Sequence, residues 1–162
     1  MKKIMLLLCL LLVCVASAAL AQDEEADFEG AKDYKLMSRL PGYYIADYKV
    51  NDFDSYTSPY ITADNVWEGE LTKISYTGKE KREKKLSFVQ IVRNYENAVK
   101  KLGGTVLYTE ENKLIAKIDK EGQITYMELV AYNDGNNYEL LFVEKKAMQD
   151  EVVVPVAKPE GK

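Results

Sequence analysis

From Phe88 to Leu102 the apolar residues Phe88, Ile91, Val92, Tyr95, Val99 and Leu102 recur every three or four positions. That spacing gathers side chains on one face of an α-helix. Arg93, Asn94, Glu96, Asn97, Lys100 and Lys101 fall on the polar side. Ser87 stands at the N-cap position with Gln90 three residues later, as a capping box requires, and Leu86 and Ile91 occupy the two positions of a hydrophobic staple. Lys100 and Lys101 suit the negative end of the helix dipole. Gly103 supplies the stop, because it accepts a left-handed backbone.

On either side of this helix the period falls to about two, the signature of strands. Before it, the Pro41-Gly42 turn leads into a strand over Tyr43–Val50. Asn51–Asp64 is polar, contains Pro59 and reads mainly as an excursion. Val66–Thr77 is a second strand, interrupted by Gly69. After the helix come Thr105–Thr109, Lys113–Asp119, Gln123–Tyr132 and Tyr138–Lys145, separated by the turn sequences Glu110-Glu111-Asn112, Lys120-Glu121-Gly122 and Asn133-Asp134-Gly135-Asn136. In the last strand Leu140 and Phe142 oppose Leu141 and Val143, so both faces are apolar and a central place in the sheet is expected. Short connections favour antiparallel neighbours. The expected fold class is α+β: an antiparallel sheet of about five or six strands with one main helix packed on it, in the order β-β-α-β-β-β-β.

The two ends read differently. Lys2 and Lys3, the apolar run Ile4–Val15 and the small residues up to Ala19-Leu20-Ala21 form a signal-peptide pattern cleaved before Gln22. Residues 22–32 are an acidic leader expected to be disordered. A single domain is expected over 33–148, and 149–162, with Pro155 and Pro159, reads as a flexible tail. The expected location is outside the cytoplasm, in the periplasm or associated with the outer membrane, with no transmembrane segment left after cleavage.

Cleavage also changes the chemistry. Both cysteines, Cys9 and Cys14, leave with the signal, and the chain has no histidine. Thiol catalysis, imidazole-based triads and disulfides are thereby excluded from the mature chain, and a zinc site loses its usual ligands. No catalytic residue, metal site or cofactor is assigned. With Lys2 and Lys3 gone, 20 basic residues face 26 acidic ones, a net charge of −6. That balance argues against nucleic acid as a partner.

The remaining candidates are modest. Asn51, Asp52, Asp54 and Ser55 cluster oxygens but lack the glycine and terminal glutamate of a calcium loop, and read as an Asx-rich turn. Glu68 and Glu70 share a strand face, where such pairs usually meet solvent. Lys79–Lys85 carries net +3 and reads as a solvated loop that could touch phosphate on an envelope polymer. For a contact surface the best choices are Arg93, Asn94 and Asn97 on the polar helix face and Tyr43, Tyr56 and Tyr60 near predicted loops.

Several blocks occur in a familiar combination: Asp33-Tyr34-Lys35-Leu36-Met37-Ser38-Arg39-Leu40-Pro41-Gly42, Tyr44-Ile45-Ala46-Asp47-Tyr48, Phe53-Asp54, Gln90-Ile91-Val92-Arg93-Asn94-Tyr95-Glu96-Asn97-Ala98, Gly103-Gly104-Thr105-Val106-Leu107-Tyr108 and Val143-Glu144-Lys145-Lys146-Ala147-Met148. Together they resemble the N-terminal envelope domain found ahead of outer-membrane-protein-A-type peptidoglycan-binding domains in Gram-negative bacteria. No counterpart of the wall-binding domain follows, so peptidoglycan binding is not carried over. The resemblance implies no catalytic residues. The expected function is an exported, non-enzymatic accessory domain that binds a protein or cell-envelope component. Two other readings stand beside it: a carboxylate-dependent glycan hydrolase, and a carrier holding a small apolar ligand between helix and sheet.

Overall fold

The computed structural model describes residues 25–63, 65–149 and 151–152. The signal peptide expected at Met1–Ala21 lies outside the described residues, as do the first residues of the leader and 153–162 of the tail. Six strands, β1 (Tyr43–Thr57), β2 (Val66–Gly78), β3 (Thr105–Thr109), β4 (Lys113–Lys120), β5 (Gln123–Tyr132) and β6 (Asn137–Lys145), form one antiparallel sheet in the order β1-β2-β6-β5-β4-β3. The helix, α1 (Phe88–Lys101), follows β2, and a 3₁₀ turn at Asn133–Gly135 joins β5 to β6.

The expected α+β class is corrected here. Of the described residues 48 % are strand and 13 % helix, so the domain is a predominantly β fold to which one helix is added. A second correction concerns Asn51–Asp64. The first strand does not stop at Val50 but runs to Thr57, pairing Tyr56 with Trp67, and it absorbs the polar stretch through a register shift between Asn51 and Asp54. As an edge strand with most of its side chains exposed or half-exposed, β1 tolerates the polar residues that obscured it. Within that irregularity Asp54 accepts from Asn51 Nδ2 at 2.6 Å and from the Ser55 N–H at 2.8 Å.

The connectivity explains the centre of the sheet. β3 to β6 form a meander that starts at the far edge and returns until β6 zips against β2, with Ile74 opposite Leu140. β6 is therefore flanked by β2 and β5 and apolar on both faces. Leu140 and Phe142 enter the main core on one side, and Leu141 and Val143 enter a smaller cluster on the other.

The main core lies under the helix. Ser87 caps α1 with a complete capping box. Gly103, at φ +74°, ends it, its N–H bonding to Lys100 O and that of Gly104 to Val99 O, the paired bonds of a Schellman motif. Ile91, Val92, Tyr95 and Val99 are buried against β3, β4 and β5. A 14-residue helix cannot also cover β2 and β6. That half is roofed by the segment before β1, where Tyr34 stacks on Phe142 with ring centroids 3.8 Å apart and Leu36, Met37 and Leu40 pack on the same core.

The acidic leader is tied to this roof. The Phe28 N–H donates to Ile45 O at 2.7 Å, and Asp27 Oδ1 accepts from the Ile45 N–H at 2.9 Å. Arg39 pairs with Asp27 and with Asp33, and its guanidinium holds the Asp27 carboxyl below the usual range. Within the described part of the leader, residues 25–32, Asp27 thus meets both Arg39 and the Ile45 N–H, and Phe28 meets Ile45 O.

Four tyrosines converge in the core. Tyr138 is fully buried; its ring stacks on Tyr76 at 4.6 Å and meets Tyr43 edge-on at 5.0 Å. Its hydroxyl accepts from the Leu40 N–H at 3.1 Å and from Tyr95 Oη at 3.0 Å.

Two consequences are measurable. At Gly69, with φ +153°, an added Cβ would fall 2.0 Å from the Glu144 carbonyl oxygen. What looked like a strand interruption is the place where β6 passes close to β2. Gly69→Ala is expected to cost about 2–4 kcal/mol in chemical denaturation, from backbone strain and collision. Burial also raises the pKa of Tyr76, Tyr95 and Tyr138. The folded state favours neutral phenols, so this stability is fully present below the ordinary tyrosine pKa of about 10 and is lost as pH rises above it. Denaturation midpoints from pH 8 to 12 are expected to fall only in the upper part of that range, less steeply for Tyr95→Phe.

Candidate functional site

The face of the sheet opposite α1 carries the second, smaller hydrophobic cluster. Strand alternation sends Trp67 and Leu71 of β2, Ile115 of β4, Tyr126 and Glu128 of β5, and Leu141 and Val143 of β6 to this side. They form the second cluster, with Tyr56, Tyr60, Ile61 and Tyr108 packed against it. Trp67 is its centre, 1 % exposed, stacked on Tyr126 at 4.9 Å and tilted against Tyr56 at 5.6 Å.

The connection between β1 and β2 folds down over this face. The Ser58 N–H donates to Asn65 O at 2.8 Å and closes the loop. Glu128 then fixes it in place. It lies opposite Ile115 on β4 and Leu141 on β6, so its carboxylate rises from an apolar strip and is 6 % exposed. Tyr56 Oη donates to one carboxylate oxygen and Ser58 Oγ to the other, each at 2.7 Å. A buried carboxylate is tolerated when hydrogen bonds replace its water. Burial and the neighbouring Glu128 together hold the Tyr56 hydroxyl well above its usual pKa, so it stays a donor.

Beside this pin the loop and the sheet border a half-open recess of about 460 Å³, lined chiefly by Tyr60, Ile61, Leu107, Tyr108, Lys117 and Tyr126. Lys113 Nζ lies 5.1 Å from the centroid of the Tyr60 ring and pairs with Glu110 at 3.1 Å. Glu110 in turn raises the pKa of the Tyr108 hydroxyl through its hydrogen bond. Among the described residues Lys117 has no ion pair and no carboxylate lines the cavity. The chemistry offered is flat aromatic surface, tyrosine hydroxyls, an exposed leucine at the lip and one ammonium group.

The candidates chosen from sequence are divided by the sheet. Tyr60 lines this cavity, and Tyr56 holds its loop. Tyr43 is placed differently from the loop-side contact expected of it: it is 3 % exposed in the main core, its hydroxyl donating to Gly135 O at 2.5 Å. Arg93, Asn94 and Asn97 are exposed on α1. Arg93 pairs with Glu96, and Asn94 Nδ2 donates to Gln90 O at 2.7 Å. Asn94 also borders a cleft of about 420 Å³ between α1 and residues 36–41. Space for a ligand between helix and sheet is filled by core side chains, so the carrier reading moves to the opposite face. Of the two carboxylates noted on β2, Glu70 is engaged by Lys146 at 3.4 Å and Glu68 is exposed.

Sequence reasoning missed Trp67, Ser58, Glu128, Leu107 and Lys117. One signal was available. Glu128 interrupts the apolar run Met127–Ala131 and alternates onto the same face as Tyr126, which marks a polar group with a buried partner.

Replacing Glu128 tests the pin. Glu128→Ala leaves two hydroxyls without an acceptor and is expected to cost about 2–3 kcal/mol, with faster hydrogen exchange at the Ser58 amide. Glu128→Gln keeps one acceptor and is expected to lose less in both measurements.

No family model matches the chain. Among curated proteins it is similar to the male-specific histamine-binding salivary protein of Rhipicephalus appendiculatus, with 27 % identity over 147 residues, spanning 86 % of this chain and 74 % of that protein.

Proposed function

We propose that this chain is an exported, non-enzymatic binding protein that holds a small, flat, largely apolar molecule in the cavity formed by Tyr60, Ile61, Leu107, Tyr108, Lys117 and Tyr126. The observation that carries this reading is the cavity itself, an aromatic recess of about 460 Å³, within the size range of small-molecule sites. The loop above it is fixed by the Glu128 bonds to Tyr56 and Ser58, so little ordering remains to be done on binding. Similarity to a protein named for binding histamine supports the class of function. It does not transfer the ligand. A cationic amine would meet Lys117 and, among the described residues, no lining carboxylate, so a neutral or acidic aromatic molecule is the better match.

Export is supported by the signal pattern of Met1–Ala21 and by the salivary designation of the similar protein. Placement in a periplasm or beside an outer membrane rests on the envelope-domain resemblance, and a cell-envelope component remains part of the proposal as the source of the ligand. The non-enzymatic reading rests on Glu128, whose two oxygens are committed to Tyr56 and Ser58.

The test is a titration with 8-anilinonaphthalene-1-sulfonate, an acidic aromatic probe, read by Trp67 quenching. The chain has one tryptophan, and it stacks directly on the lining residue Tyr126. Saturable 1:1 binding is expected, weakened about tenfold by Tyr60→Ala or Leu107→Glu. Histamine at the same concentrations is expected to compete poorly. Probe binding that ignores both substitutions would reject the cavity as the site.

A further inference from the structure

The charged run Lys79–Lys85 plays no part in the aromatic cavity. It connects β2 to α1 on the far side of the main core and borders a second cavity, of about 590 Å³, lined by Lys79, Lys81, Arg82 and Lys84 together with the carboxylates Glu25 and Glu83, beside Gly42 and Leu86. None of these four basic residues forms an ion pair with a described carboxylate. On a chain with an acidic balance, four cations against the two carboxylates of Glu25 and Glu83 leave this recess with a net positive charge.

Arg82 is built into the fold. Its Nη1 donates to Asn136 Oδ1 at 2.9 Å and to Lys79 O at 3.2 Å, and its guanidinium lies 5.4 Å from the centroid of the Tyr43 ring. Its Nε is buried and has no acceptor among the described residues. A buried donor without a partner is costly and uncommon in folded proteins. The same loop already holds an anion supplied by the chain: Glu25 lines the cavity and accepts from the Glu80 N–H at 2.6 Å. A fixed guanidinium, mobile ammonium groups and a backbone amide turned toward a carboxylate are the elements that recognise an oxyanion.

We propose that this recess is a binding site for a phosphate group carried on a larger molecule, and that Glu25 is its built-in competitor. The three lysines act as point charges around the anion and Arg82 as the immobile one. The cavity is much larger than a bare ion needs, which leaves room for what the phosphate is attached to. When the anion enters, the Glu25 carboxylate leaves the Glu80 amide, so occupancy is coupled to release of the leader at that point.

The experiment titrates the intact mature protein with inorganic pyrophosphate at fixed ionic strength and follows backbone amide resonances. Saturable shifts confined to Gly42 and residues 79–86 are expected, with Glu25 responding in step. Glu25→Gln is expected to tighten binding about threefold. The double variant Lys81→Ala with Lys84→Ala, both exposed positions, is expected to weaken it about tenfold. Lys100→Ala with Lys101→Ala, which removes the same charge from α1, should change nothing. Sedimentation with phosphatidylcholine vesicles, with and without phosphatidylglycerol, separates the sources. Capture by the anionic vesicles that is lost in the Lys81, Lys84 variant identifies a lipid headgroup, and pyrophosphate binding alone identifies a soluble phosphate compound. Absence of saturable shifts in this loop, or equal weakening by the two double variants, would overturn the proposal.

Discussion

The buried hydroxyl of Tyr138 joins the three parts of the main core. It belongs to β6, the strand with sheet on both sides, and it accepts one hydrogen bond from α1 through Tyr95 and one from the roofing segment through the Leu40 amide. Each bond adds about 1 kcal/mol net, yet leaving either donor buried and unmet costs more. Stacking with Tyr76 and the edge contact with Tyr43 fix the ring that presents this hydroxyl. Helix and N-terminal segment are thereby set at one height above the sheet, and the turn at Gly135, which accepts from Tyr43, is set with them.

A sheet with a central strand apolar on both faces needs two covers. The helix and the N-terminal segment supply one. The other is only a hairpin tip, and a short loop cannot bury a broad face by apolar contact alone. Glu128 compensates, exchanging hydration for two hydroxyl bonds that hold the tip down. The incomplete cover is also what leaves a recess beside Trp67. The proposed binding cavity thus follows from the imbalance between a long helix on one side and a short loop on the other.

This asymmetry also decides what could be read from the sequence. The helix was legible because its signals are local: Ser87, Gln90, Gly103 and a single apolar stripe. The meander was legible for the same reason, its turns being marked by Gly, Asn and Asp. The extension of β1 to Thr57 was hidden because an edge strand with half its side chains in water need not alternate. The fastening of Asp27 was hidden because it depends on Arg39, and an acidic stretch looks the same whether it is free or paired. The site was least legible of all. Tyr56, Ser58 and Glu128 are separated by 72 and 70 positions, and only the register of β2, β6 and β5 brings them together. Tyr43, chosen for its nearness to a turn, was carried into the core by that same pairing.

The roof over β2 and β6 has a consequence for the order of events when the chain is made or moved. Leu40 and Tyr138 are 98 positions apart, and Tyr34 lies 110 from Glu144, to which its hydroxyl donates. The roof made by Tyr34 and Leu40 must therefore wait for the last strand, although Asp27 and Phe28 meet β1 much sooner. Contacts of such long reach form slowly and late. A chain leaving a ribosome or threading a membrane pore amino end first can complete that roof only when nearly all of it has emerged.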